Sequence, residues 1–307
     1  MLYTKYFIFA VKIYNQLKKM KRIKFILFLV VVLILSACGT TQTVPVTGRK
    51  HNLLFSDSEI LSYSNREYSK YMQGAKKSTD AASTAMVQRV GKRLAASVNT
   101  YLKNNNMASE IQNYSWEFNL VADKEVNAFC MPGGKIVVYE GLLPVTQNEA
   151  SLAVVLGHEI AHAVAKHSAE QMSKKARQQY GTMALGTILN SAVGSGAGDL
   201  ASGVAGEYFS FRNLKYSRDN ESEADYMGLI FAAMAGYNPE VAVPFWKRMA
   251  ELGSSTNNDL FSDHPSDSKR IAAIEKLMPD ALKYYQASGY VNNNNAVKKP
   301  ARKPNRR

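Results

Sequence analysis

A chain of 307 residues with 46% apolar side chains can hold one large domain or two small ones and can build a proper core. Its formal charge of +13 points toward nucleic acid only until the charge is located. Residues 1–37 carry seven basic side chains and no acidic one, residues 298–307 carry six more, and 38–297 balance 25 basic against 25 acidic. The basicity belongs to the two ends, so a nucleic-acid partner is not expected.

The N-terminal stretch reads as a targeting segment. Lys18 to Lys24 is basic, and Phe25 to Leu35 is an apolar run of eleven residues, short of the ~20 that a membrane-spanning helix needs. It ends in Leu35-Ser36-Ala37-Cys38, which resembles the lipobox of bacterial lipoproteins. That resemblance implies a signal peptide over 1–37, cleavage before Cys38 and a lipid on its thiol. The body is then expected on the periplasmic side of a bacterial envelope, with the outer membrane ahead of the inner because Gly39, not aspartate, follows the cysteine. Met20 begins a more typical signal peptide than Met1. With Cys38 so used, Cys130 has no partner and reads as a small buried apolar side chain.

Residues 38–55 read as a tether, small and polar from Gly39 to Lys50, with Pro45 and Gly48. The main domain is expected over 56–285. Its first helix opens at a capping box, Ser56-Asp57-Ser58-Glu59, and runs to about Met72. A second begins near Asp80, with Val87, Val90, Leu94 and Val98 on one face. Lys103 to Ser109 reads as a polar loop. Trp116–Val121 alternates as a strand, and Pro132-Gly133-Gly134 turns the chain into a second strand, Lys135–Tyr139. A helix opens near Asn148, and helical pattern continues past His167 to about Leu189. Glycine- and alanine-rich Gly194–Gly206 suits either a mobile loop or close helix packing. Further helices follow at Asn220–Ala235, from Pro239 to about Leu252, and at Ser266–Leu277. The end, 286–307, has the composition of a disordered basic tail. The fold class is α+β and mostly helical, with a small sheet ahead of the central helix.

That central helix carries Gly157-His158-Glu159-Ile160-Ala161-His162 inside the apolar run Leu152–Val164. Positions four apart lie one turn above each other, so His158 and His162 can offer two imidazole nitrogens to one metal ion. Glu159 can reach a water on that metal and take its proton. This is the H-E-x-x-H arrangement of zinc peptidases. Two histidines and a carboxylate inside an apolar helix are unfavourable to bury unless paired or metal-bound. A catalytic zinc takes a third protein ligand, and His51, His167, His264 or a carboxylate are the candidates. Glu221 and Asp225 share a helix face, so Glu221 can bind the metal while Asp225 accepts the hydrogen bond of a ligand imidazole. Glu223 points away from that pair. An acidic solvated helix face fits the same spacing.

Together with Ser217-Arg218-Asp219-Asn220-Glu221-Ser222-Glu223-Ala224-Asp225, the Asn127-Ala128-Phe129 and Pro132-Gly133-Gly134 segments, and His264-Pro265 followed by Arg270-Ile271, the motif resembles the gluzincin metallopeptidases of the HtpX, Oma and BepA type, which include the CAAX prenyl endopeptidase. The resemblance spans roughly Val46 to Leu277. It implies one zinc ion held by His158, His162 and Glu221, with Asp225 behind them and Glu159 as general base. It implies polypeptide substrates laid along the edge strand at Asn127, Ala128 and Phe129. The absence of several membrane-spanning helices implies the periplasmic lipoprotein branch, acting on unfolded or misassembled envelope proteins. His264, Arg218 and Tyr216 are candidates for an oxyanion donor, and His264 also for a regulatory plug on the metal's open position. The rival reading is a chaperone-like zinc-binding lipoprotein with a latent or structural metal site, against which Glu159 argues.

Overall fold

The computed structural model describes residues 39–178, 215–253 and 268–289, together with Arg22, Lys24, Phe25, Ile26, Phe28 and Phe211. Cys38, His264, the glycine-rich 194–206 stretch and the end from residue 290 lie outside the described residues. Among the described residues no helix is long and apolar enough to cross a membrane.

The segment expected as a tether is folded. Strands β1 (Thr40–Thr43) and β2 (Lys50–Leu53) form an antiparallel hairpin. Val44 and Leu53 from it are fully buried in the core. Its small polar composition matches that of linkers, and only pairing and tertiary contacts with residues far along the chain distinguish it.

Helix α1 (Asp57–Gly74) starts at the Ser56–Glu59 capping box. Helix α2 (Ala81–Asn104) starts at Asp80, whose side chain accepts from Ser83 N–H. A 3-10 turn, Ala108–Asn113, occupies part of the expected polar loop and leads into β3 (Glu117–Val121). Strands β4 (Ala128–Met131) and β5 (Lys135–Tyr139) follow, joined through Gly133 and Gly134 at φ +90° and +81°. Two successive left-handed residues suit a tight hairpin turn and favour glycine at both. The sheet order is β3-β5-β4, parallel between β3 and β5 and antiparallel between β4 and β5.

The central strand β5 lacks apolar–polar alternation because both its faces are covered. Ile136 and Val138 join a large core with Leu94, Leu152, Leu156, Ile160 and Phe231, whereas Val137 and Tyr139 join a smaller one with Leu53, Ile60 and Met172. Each fully buried side chain of this size contributes about 1.5–3 kcal/mol. After a short helix, α3 (Leu143–Thr146), comes α4 (Glu149–Val164), which packs on β4, is capped by Asn148 and has every residue from Ser151 to Val164 buried. Residues 167–178 are again helical.

Helix α5 (Arg218–Met234) crosses α4 at two glycines. A Cβ on Gly157 would meet Gly228 O at 2.6 Å, and one on Gly228 would meet His158 N at 2.6 Å. Backbones can approach this closely only without side chains, and the crossing brings the first turns of α5 over the histidines of α4. Helix α6 (Ala242–Gly253) and helix α7 (Ser268–Ala287) complete the fold. Helix α7 passes through Pro279 and ends two residues beyond the expected domain boundary at 285.

Candidate metal centre

The structure brings His158, His162 and Glu221 together, all three buried, with one donor atom from each within 4.8 Å of the others. His158 Nε2 and His162 Nε2 are 3.0 Å apart. Each lies 3.4 Å from an oxygen of Glu221, His158 from Oε2 and His162 from Oε1. Bonds of 2.0–2.1 Å at tetrahedral angles would separate neighbouring ligand atoms by ~3.3 Å. Two imidazoles and a carboxylate at this spacing therefore fit zinc. Glu159 is buried beside the two histidines on α4.

Each histidine is held from behind, and by different means. His158 Nδ1 lies 2.9 Å from Asp225 Oδ1. Arg270 from α7 donates to both Asp225 oxygens, Nη2 to Oδ1 at 2.7 Å and Nε to Oδ2 at 2.8 Å. Its guanidinium lies 3.7 Å over the Trp246 ring. A two-pronged pair sandwiched by an aromatic face is the geometry for which guanidinium is suited. Burial alone disfavours a charged His158, yet the bonds to Asp225 and Glu221 carry it up to about 9. Burial also works against ionised Asp225, and Arg270 and His158 together outweigh it, holding the carboxyl below its usual range.

His162 sits differently. Its Nδ1 is 2.9 Å from His167 Nδ1, and His167 Nε2 is 2.9 Å from Glu223 Oε2. Burial drives His162 well below its ordinary value, which favours the neutral ring. Tyr216 stacks on it, with ring centroids 4.0 Å apart.

Of the expected residues, His158, Glu159, His162, Glu221, Asp225 and Tyr216 meet at this centre. Glu221 and Asp225 share one face of α5, as their spacing predicts, and Glu223 does point elsewhere. It faces no solvent: it is buried, bonded to His167, Arg49 and Thr47. Tyr216 directs its hydroxyl to Ser168 Oγ at 2.9 Å. Arg218 is exposed on the first turn of α5. Asn127, Ala128 and Phe129 are buried on or beside β4, the edge strand that packs on α4. His51 is a neighbour of Glu170, 3.6 Å from its Oε2, and takes no part in the triad. Cys130 is a buried free thiol. Sequence reasoning missed the supporting roles of Arg270, His167 and Arg49. Only His167, one residue beyond a full turn from His162, gave a local signal.

A model of peptidase family M48 matches residues 81–278, from the start of α2 into α7. The chain belongs to peptidase family M48. Among curated relatives, the mitochondrial metalloendopeptidase OMA1 of Schizosaccharomyces pombe is 37% identical over 201 residues, covering 64% of this chain and 54% of that protein. The mitochondrial metalloendopeptidase OMA1 of Arabidopsis thaliana is 38% identical over 180 residues, 58% of this chain and 35% of that protein. The β-barrel assembly-enhancing protease of Yersinia pestis is 27% identical over 199 residues, 63% of this chain and 38% of that protein. The M48 chain thus spans between about a third and just over half of these relatives' lengths.

These matches correct one expectation. A bacterial, periplasmic, lipid-anchored placement does not stand, because relatives at 33–38% identity carry mitochondrial names. The leader pattern behind it is short and lies before the matched domain. Its reading presupposed a bacterial envelope, which the shared domain does not supply.

Proposed function

We propose that this M48 chain is a zinc endopeptidase in which His158, His162 and Glu221 hold the metal and Glu159 is the general base. The observation that carries this reading is the buried triad at 3.0–3.4 Å spacing with Glu159 on the adjoining helix position. When bound, zinc supplies a Lewis acid that polarises a peptide carbonyl and lowers the pKa of water toward about 7. Glu159 takes the proton from the attacking water and returns it to the leaving amine. Asp225 holds the Nδ1–H of His158, which leaves its Nε2 lone pair facing the other two ligands. The oxyanion donor is drawn from Tyr216, Arg218 or His264.

The substrate is a polypeptide in extended form. Strand β4 has a strand partner only on its β5 side among the described residues, and it packs on the metal helix. An extended segment adding to that edge near Asn127, Ala128 and Phe129 would be read mainly through its backbone. Such reading suits chains that have failed to fold or assemble, which a folded substrate could not imitate. The catalytic unit includes the β1–β2 hairpin along with 56–285.

The test is cleavage of casein by the purified protein beside Glu159→Gln, with zinc measured in both. Wild-type turnover and an inactive variant of equal zinc content are expected. Equal cleavage by the two would overturn the peptidase reading.

A further inference from the structure

The two metal histidines differ in what stands behind them, and the arm behind His162 reaches an unexpected part of the chain. If Nε2 of His162 is kept for the metal, its proton sits on Nδ1. It then donates to His167 Nδ1 across 2.9 Å. His167 must accept there, so its own proton sits on Nε2 and is donated to Glu223 Oε2 across 2.9 Å. One choice of tautomer at His162 thus fixes the next ring.

Glu223 is in turn held by Arg49 of the hairpin, whose Nε donates to Oε2 at 2.8 Å, and by the Thr47 hydroxyl. Arg49 also donates to Glu170 from both terminal nitrogens, at 3.2 and 2.8 Å. It therefore ties two buried carboxylates that would otherwise repel each other. His167 is fully covered, whereas the Arg49 side chain keeps 33% of its exposure. Arg49 and Thr47 lie outside the 81–278 segment that the family model matches.

We propose that His167, Glu223 and Arg49 are positioning residues for His162, so that the N-terminal hairpin is a structural part of the metal centre. None of the three touches the metal in this reading. They fix the ring's tautomer and tilt, as Asp225 and Arg270 do for His158. The inference rests on the assignment of His162 as a ligand.

The experiment measures zinc affinity of the full chain by competition with a chromophoric chelator. It adds the visible absorption of the cobalt-substituted protein and the melting of the metal-free form. His167→Leu removes both the acceptor and the donor, and it is expected to lower zinc affinity by about ten- to a hundred-fold and to alter the cobalt bands. His167→Asn offers Oδ1 where Nδ1 accepted, and it is expected to recover most of that loss. Arg49→Met leaves every ring in place and is expected to weaken zinc by up to about ten-fold. Should His167→Leu fail to fold, the Asn and Met variants carry the test.

Wild-type zinc affinity and cobalt bands in His167→Leu, or in Arg49→Met if the former is unfolded, overturn the proposal. His162→Ala separates the two levels of failure. Zinc lost there but held with wild-type affinity in His167→Leu overturns the positioning arm alone. Zinc held with wild-type affinity in His162→Ala overturns the ligand assignment and the arm together.

Discussion

The arms behind His158 and His162 both engage the ring at Nδ1, one through a carboxylate and the other through a second imidazole, and they end in opposite settings. Behind His158, Asp225 and Arg270 are both buried, and the Arg270 guanidinium stacks on Trp246. Behind His162, a second histidine intervenes, and the terminal cation, Arg49, is partly exposed on a hairpin. A buried pair cannot be rescued by water when one partner is lost, while a partly exposed cation can be replaced by solvent at modest cost. The first arm is therefore rigid and bound up with folding. The second is a place where changes at the surface can reach the metal.

The largest effect expected lies in neither arm. Glu159→Gln should lower turnover by about a hundred- to ten-thousand-fold, since a general base is removed while both rings and both supports stay. Zinc content and cobalt absorption should remain those of wild type. If zinc is lost as well, Glu159 belongs to the ligand support and the separation of base from arms is wrong.

Within the comparison, the cation ends should differ in what they do to the fold. Arg270→Leu strands buried Asp225 and should destabilise the metal-free protein by about 3–5 kcal/mol. Arg49→Met should shift its melting much less, because Arg49 is itself 33% exposed and the carboxylates it leaves keep other partners, Glu170 in Lys174 and Glu223 in His167. Denaturant titration of the two variants checks this. Equal losses would show that exposure of the terminal cation does not distinguish the arms.

Both arms depend on the approach of α4 to α5. Gly157→Ala sets a Cβ 2.6 Å from the carbonyl of Gly228, which is backbone and cannot swing aside. The helices must part, at about 1–3 kcal/mol. Because Glu221, Glu223 and Asp225 all ride on α5, zinc affinity should fall along with stability. Stability loss with unchanged zinc affinity would mean that the crossing does not set the ligand geometry.

How much of this was legible follows from the reach of each signal. His158, Glu159 and His162 fall within five residues, and helical periodicity alone stacks the rings. Glu221 and Asp225 repeat that spacing, so their shared face could be read, and the small sheet ahead of α4 followed from alternation and the Gly133-Gly134 turn. Glu223 was read correctly as lying off that face. Its destination was not legible, because α5 is covered on most sides and an off-face carboxylate there meets protein, not water. Its partner Arg49 is 174 residues away. No local pattern announces such a pair, and a twelve-residue polar segment with Pro45 and Gly48 has linker composition whether or not it pairs. Arg270 was hidden for the same reason, 45 residues from the carboxylate it grips.

The smallest effect concerns acid, and it tests whether Glu223 works as a carboxylate. Burial would raise its pKa, but His167, Arg49 and Thr47 bond its ionised form and bring it from 4.5 to about 2. A carboxyl with a lower pKa folded than unfolded adds stability that is fully present above the unfolded value. That stability is lost as pH falls through the folded value. The contribution of Glu223 should therefore be constant above about pH 4.5 and fade between there and about 2. Glu223→Gln keeps an oxygen for His167 but removes the charge that Arg49 answers. Melting of metal-free wild type and of Glu223→Gln should differ most near neutral pH and converge across that window, which keeps proton competition for zinc out of the measurement. A difference that stays constant down to pH 2 would mean that Glu223 acts by shape and hydrogen bonding alone, and that Arg49 is answering Glu170 instead.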